Sequence, residues 1–233
     1  MVITRQGFSA VVNNAFPAFG FPPEAPTMIE FPLDMFLQGS DLSPIEKNLD
    51  KIIGGLTKWE PKIKKKGIIT PGELLKVQGK DCAKAVVNMN HLFLRNLWGD
   101  GLPIQPATVE QVNWLMTGTD LPRDTVIGKI LPRGGIATAE TIAISLAMAG
   151  GRPEYMPVLI AAVQAITDPK LRHEAFNSTT CSVYPVVIVN GPIAKQIRLN
   201  SGYGCLGPDP VHPAGASIGR AIRLILQNMG GVI

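Results

Sequence analysis

Cysteine is scarce in this chain. Cys82, Cys181 and Cys205 are its three, none forms a CxxC pair, and none has a histidine nearby at finger-like spacing. That excludes a disulfide framework and argues against a structural zinc site, so no metal is expected. The opening residues MVITRQGFSAVV lack the long apolar stretch of a signal peptide, and no segment reaches membrane-spanning length. A reducing cytoplasm is the expected location, without a membrane partner. Charged residues make up 17% and aromatics 6%, against 45% hydrophobic. This composition fits a compact, enzyme-like chain with much of its surface covered, rather than a coiled coil or a nucleic-acid-binding tail. Neither the dinucleotide fingerprint nor the P-loop is present: SGYGCLG has glycines without the Lys and Ser/Thr that a phosphate cradle needs. No nucleotide is expected, and the cofactor stays unknown. There is also no internal repeat.

The net charge is +4, and the basic excess gathers in KWEPKIKKKG, with Lys58, Lys62, Lys64, Lys65 and Lys66. No aromatic or arginine pattern accompanies these lysines, so they read as a solvated connector rather than a nucleic-acid face. The expected organisation is a partial α/β unit over 1–60 and a main α/β domain over 67–233. At 233 residues the chain can bury a substantial core.

SAVVN (9–13) and TMIEF (27–31) read as short buried strands. In SPIEKNLDKIIGGL, Ser43 is the expected N-cap, Pro44 the first helical residue and Glu46 the closing member of a capping box; Ile45, Leu49, Ile52, Ile53 and Leu56 follow helical spacing. GELLKVQG suggests a strand. A helix through KDCAKAVVNMNHLFLRNLWGDG ends at Gly99 and places Cys82, Val86, Asn90, Phe93 and Leu97 on one face, with Cys82 in the core and His91 partly buried. Thr108 and Gln111 form a second capping box. DTVIGKIL reads as a strand and ATAETIAISLAMAGG as a helix of small residues stopped by Gly150 and Gly151. Pro153 opens the next helix, and the two form a helical hairpin. The apolar PVVIVNG is expected as a strand buried on both faces, Pro192 starts a short helix, and Ser217 caps the last one. Together these give an α/β fold: a small, mostly parallel sheet covered by helices, with a helical hairpin and a long Gly/Pro-rich loop.

Reactive side chains are densest over 177–220: Cys181, Tyr184, Asn190, Asn200, Ser201, Tyr203, Cys205, His212 and Arg220. Ligands collect at the carboxyl ends of strands in open sheets, which points to Asn190 and Gly191. The helix starts at Pro192 and Ile218 offer backbone N–H groups to an anion. Cys181 is either a nucleophile, its pKa lowered by Arg172, His173 or His212, or a small buried residue beneath a loop; Cys205 is a candidate resolving thiol. A second candidate is GGRPEYMP, where Arg152 and Glu154 flank a helix start. They form either a site or a capping pair. Glu140 is placed alike, in the first turn after Thr138.

WGDGLPIQPAT, AMAGGRPEYMPVLIAAVQAI, IVNGPIAKQIRLNSGYGCLGP and ASIGRAIRLILQNMGG resemble a bacterial family related to the UGSC (seleno)proteins, and through them the selenoprotein B of glycine reductase. The resemblance covers residues 80 to 231, and GFSAVVNNAFPAFGFPPEAPTMIEFPL is similar to the later part of a UGSC domain. In that group a selenocysteine or cysteine carries redox or bond-cleaving chemistry. The motif that names the group is absent here, and by the resemblance it would lie before residue 1. A companion subunit supplying an N-terminal half-domain is therefore expected.

Three functions follow as expectations. In the first, the chain is a subunit of an enzyme that cleaves or reduces a carbon–heteroatom bond in a small substrate, with Cys181 as nucleophile and His212 or His173 as proton carrier. Arg152, Asn190, Gly191, Asn200, Ser201, Tyr203 and Cys205 then bind the substrate. In the second, it is a hydrolase or lyase without redox chemistry, using Glu154 or Glu140 as base. In the third, it is a non-catalytic partner in a hetero-oligomer.

Overall fold

The computed structural model describes residues 2–9, 12, 16, 28–32, 35, 37–60, 74–179, 181–200, 202 and 209–231. The chain is mixed helix and strand, with small sheets of two strands each, and divides into two units, Met1–Glu73 and Leu74–Ile233. In the first unit Val2–Arg5 (β1) pairs in parallel with Met28–Phe31 (β2), Val2 opposite Met28 and Arg5 opposite Phe31. Ile29 and Phe31 are buried and Glu30 between them is exposed, the alternation of a strand with one covered face. The strand expected at 9–13 is replaced by helical backbone at Ser9 and Val12; Val11 and Asn13 lie outside the described residues. The cause is the turn after β1. Gly7 adopts φ +92°, the Phe8 N–H donates back to Arg5 O at 3.1 Å, and the Arg5 guanidinium stacks 4.7 Å over the Phe8 ring.

The expected single helix over 43–56 is two: α1, Ser43–Lys47, and α2, Leu49–Thr57, divided at Asn48, whose Nδ2 donates to Pro44 O at 2.9 Å. Ser43 is the first helical residue rather than the cap. Asp41 takes the capping work, accepting from the Ser43 N–H at 2.9 Å and its hydroxyl at 2.8 Å, and these bonds hold the Asp41 carboxyl below its ordinary pKa. The apolar side of α2 stays uncovered at Leu49, Ile53 and Leu56, and Gly55 is its buried residue. Of the lysine connector, Lys62, Lys64, Lys65 and Lys66 lie outside the described residues.

The second unit opens irregularly: 74–79 form no strand, against the expectation for GELLKVQG. Cys82–Arg95 (α3) is capped by Asp81, which accepts from the Lys84 N–H. Its inner face seats Met89 against Ile104, Met148 and Leu224. Cys82 and His91 are both exposed, correcting the core placement. The first turn of α3 extends past the elements that cover Met89. Val109–Met116 (α4) follows, with Thr108 as N-cap accepting from the Gln111 N–H.

Val126–Ile130 (β3) and Gly135–Thr138 (β4) form an antiparallel hairpin, Ile130 opposite Gly135. The last two residues of β4, Ala137 and Thr138, fall within the stretch expected to be helical. That helix, α5, is Ala139–Met148, closed at its start by a Thr138–Thr141 capping box. Gly150 at φ +68° stops it, Pro153–Tyr155 makes one 3-10 turn, and Met156–Thr167 forms α6. His173–Ser178 (α7) and Pro192–Gln196 (α8) are short. The last helix, α9, runs Ala214–Gly230, so Ser217 lies inside it rather than capping it, and Pro213 holds the cap position.

The core lies where α5 meets α4, α6, α9 and β4. Ala139, Ile142, Ala143, Leu146 and Ala147 are wholly buried, as are Met156 and Leu159 of α6 and Ala221 of α9. Alanines on α5 let neighbouring backbones approach closely, and each fully buried large aliphatic side chain contributes about 1.5 to 3 kcal/mol. The same closeness governs Gly118, where an added Cβ would collide with the Pro153 carbonyl.

α9 also grips the turn after α3. Arg220 donates to Asp100 Oδ2 at 2.8 Å and Oδ1 at 2.9 Å, and to the Leu102 and Pro103 carbonyls; Gln227 Nε2 donates to the Leu97 and Gly99 carbonyls. The Arg220 bonds hold the Asp100 carboxyl below its ordinary value, outweighing the effect of burial. Its folded pKa lies below the unfolded one, so the stabilisation is complete above about pH 4 and is lost as pH falls through the lower folded value. Arg220→Ala is expected to destabilise by about 3 kcal/mol at pH 7. Urea melts should show that the difference from wild type shrinks below about pH 4.

Candidate functional site

The 177–220 region does hold a cavity, but its walls differ from those expected. PVVIVNG does not form a buried strand. Residues 183–189 run extended with no ladder partner, and no hydrogen bond among the described residues engages 184–190. Alternate residues point opposite ways. Val186 and Ile188 are 78% and 81% exposed, while Pro185, Val187 and Val189 line a cavity of about 390 Å³; Tyr184, 74% exposed, borders it as well. Phe176 and Asn177 of α7, Leu199, and Ile218, Ile222, Arg223 and Leu226 of α9 complete most of its wall. The apolar content that suggested burial on both faces is real, but one face has nothing on it.

α7 is braced against the hairpin by two side chains. His173, buried, accepts the Leu131 N–H at Nε2, 2.9 Å, and Asn177 Nδ2 donates to Leu131 O at 2.7 Å. An Nε2 that accepts the Leu131 N–H inside the core gives His173 a structural role in bracing α7.

Cys181 is exposed and free. Its N–H donates to Thr179 Oγ1 at 3.1 Å and its carbonyl accepts from the Val183 N–H at 2.8 Å. Among the described residues no histidine or arginine pairs with its sulfur. Arg172 lies 3.8 Å from Glu174 and His212 engages Asp209, Nδ1 to Oδ2 at 3.1 Å. Burial works against the Asp209 carboxylate, yet bonds from the Val211 N–H and from His212 bring its pKa below the ordinary value. Asn190 and Gly191 are exposed beside α8, and Asn200 Oδ1 accepts the Gly202 N–H at 3.4 Å. None of Cys181, His212, Asn190, Gly191 or Asn200 lines the cavity. Because α9 begins at Ala214, Ile218 is not a helix start and offers no free N–H groups there. Ser201, Tyr203 and Cys205 lie outside the described residues.

The second candidate pair meets: Arg152 Nε is 2.8 Å from Glu154 Oε1, both about half exposed. Arg152 borders an open cleft of about 640 Å³ with Gln105, Thr108, Gln111, Trp114, Gly150 and Gly151. Burial pushes the neighbouring Tyr155 phenol up, against Arg152 and Arg198 and with Glu154. Glu140 is 2.6 Å from Arg123, which also reaches Asn113. No group of three metal-ligating side chains gathers among the described residues, and no helix among them is long and apolar enough to cross a membrane.

Of the polar side chains of the cavity wall, Tyr184 was among those singled out from the sequence, whereas Asn177 and Arg223 were passed over. The signal for Arg223 was its place three residues after Arg220 on the same helix. Comparison with models of protein families, with curated proteins and with solved structures finds no match.

Two variants separate support from reactivity. His173→Ala strands the Leu131 N–H and is expected to destabilise by about 2 to 4 kcal/mol in urea melts. Cys82→Ala, at an exposed position, is expected to shift stability by no more than about 0.5 kcal/mol. Peptide mapping after iodoacetamide treatment of the folded chain is expected to find both Cys82 and Cys181 labelled.

Proposed function

We propose that the chain is one subunit of a hetero-oligomeric enzyme acting on a small substrate, completed by a companion polypeptide laid along residues 183–189. The observation that carries this is the exposed run itself. Ile188 at 81% and Val186 at 78% exposure are aliphatic side chains on a backbone whose N–H and C=O groups meet no ladder among the described residues. Natural edges of that kind are usually blunted by charge, and 175–194 contains no Asp, Glu, Lys, Arg or His. A strand added from a companion satisfies the backbone and covers Tyr184, Val186 and Ile188 together.

Within that assembly a thiol mechanism is favoured by one further observation: Cys181 is free, exposed and two residues ahead of the cavity wall at Val183. It serves there as nucleophile toward a carbon–heteroatom bond. His212, whose Nδ1 is occupied by Asp209, keeps Nε2 for proton transfer. Arg152 and Glu154 neutralise one another and do not compete for this role.

Light scattering on the chain purified by itself tests the assembly. Wild type is expected to self-associate, and Val186→Lys with Ile188→Lys to give a monomer at near-unchanged stability. A monodisperse wild-type monomer unaffected by the two lysines overturns the proposal. For the thiol, Cys181→Ser in the complete assembly is expected to abolish turnover while leaving the melting temperature in place; unchanged turnover removes it.

A further inference from the structure

The cavity beneath residues 183–189 is apolar but for three side chains, Asn177, Tyr184 and Arg223, and the states of Asn177 and Arg223 indicate what it holds. Arg223 is its single charged residue. It is exposed and makes no ion pair or hydrogen bond among the described residues, whereas Arg220, one turn earlier on α9, is fully engaged by Asp100. Asn177 is 8% exposed, and its amide is oriented by the Nδ2 bond to Leu131 O. That leaves Oδ1, which accepts nothing among the described residues and is not sealed in the interior, on a residue that lines the cavity. An accessible amide oxygen with no donor among the described residues is open to a hydrogen bond from a ligand.

We propose that this cavity binds a small apolar monocarboxylate that carries a hydroxyl or N–H donor, of the size of an arylpropanoic acid. The body of the ligand packs against Val187, Val189, Leu199 and Ile222, its carboxylate pairs with the planar Arg223 guanidinium, and its donor reaches Asn177 Oδ1. A phosphate would call for further cations, and none lines the wall. A volume of about 390 Å³ stands near the lower end of small-molecule sites.

This rests on the cavity being the substrate site of the proposed enzyme, but titration reads binding rather than assembly or turnover, so the two stand or fall separately. The test is calorimetric titration of the full chain with 3-(4-hydroxyphenyl)propanoate, its primary amide and 3-phenylpropanoate. Should wild type self-associate, the Val186→Lys, Ile188→Lys protein serves, since neither side chain lines the cavity. The hydroxylated acid is expected to bind about tenfold more tightly than either analogue. Arg223→Ala, at an exposed and unpaired position, is expected to lower affinity for the acid about tenfold and leave that for the amide unchanged, with Arg223→Lys intermediate. Equal binding of acid and amide, indifference to Arg223→Ala, or no binding by any of the three overturns the proposal. Equal binding of the two acids overturns the part given to Asn177.

Discussion

The close packing around α5 governs the larger unit. A helix buried on nearly every side needs small residues where other backbones press in, and Ala139, Ala143 and Ala147 supply them while Ile142 and Leu146 fill the spaces between. α4, α6, α9 and β4 all take their places from it. Once α9 is fixed on α5, its remaining surface is committed as well. Arg220 and Gln227 hold the turn after α3, and the side bearing Ile222 and Arg223 is left to form one wall of the cavity.

The cavity is thus a by-product of helix packing on one side and an unsatisfied strand on the other. α7 and α9 form the floor, whereas residues 183–189 lie over it with no ladder partner among the described residues. Such a wall has little of its own to fix its position, and a companion strand would supply both register and cover. The two unexplained surfaces of the segment, apolar outward and cavity inward, then have separate occupants, each matched to one side of the same backbone.

Local chemistry made the helices legible. Thr108 as a cap, Pro153 as an opener and Gly150 as a stop all act through their immediate neighbours, and the structure has them in those roles. Mixed helix and strand was legible for the same reason. What failed were inferences that needed the rest of the molecule. Helical spacing puts Cys82 in line with Val86, but it does not say that the first turn of α3 reaches past the covering elements. An apolar run such as PVVIVNG has the same composition whether helices bury it or solvent meets it. β4, at four residues, is too short to show a period against the helix that follows. The candidate cavity was legible as a region but not as a set of side chains. Asn177 and Arg223 come from α7 and α9, and only packing brings them to one space.

The paired bonds from α7 to Leu131 give the hairpin a thermodynamic link to the cavity. His173 and Asn177 together do for Leu131 what a neighbouring strand would do, one taking its N–H and the other meeting its carbonyl. The same Asn177 whose amide nitrogen holds the hairpin is a residue of the cavity wall. A donor bound to its Oδ1 polarises the amide and strengthens the bond its nitrogen donates. For the ligand proposed above, a hydrogen bond to Asn177 would favour the closed hairpin, and by reciprocity a loosened hairpin would weaken that ligand.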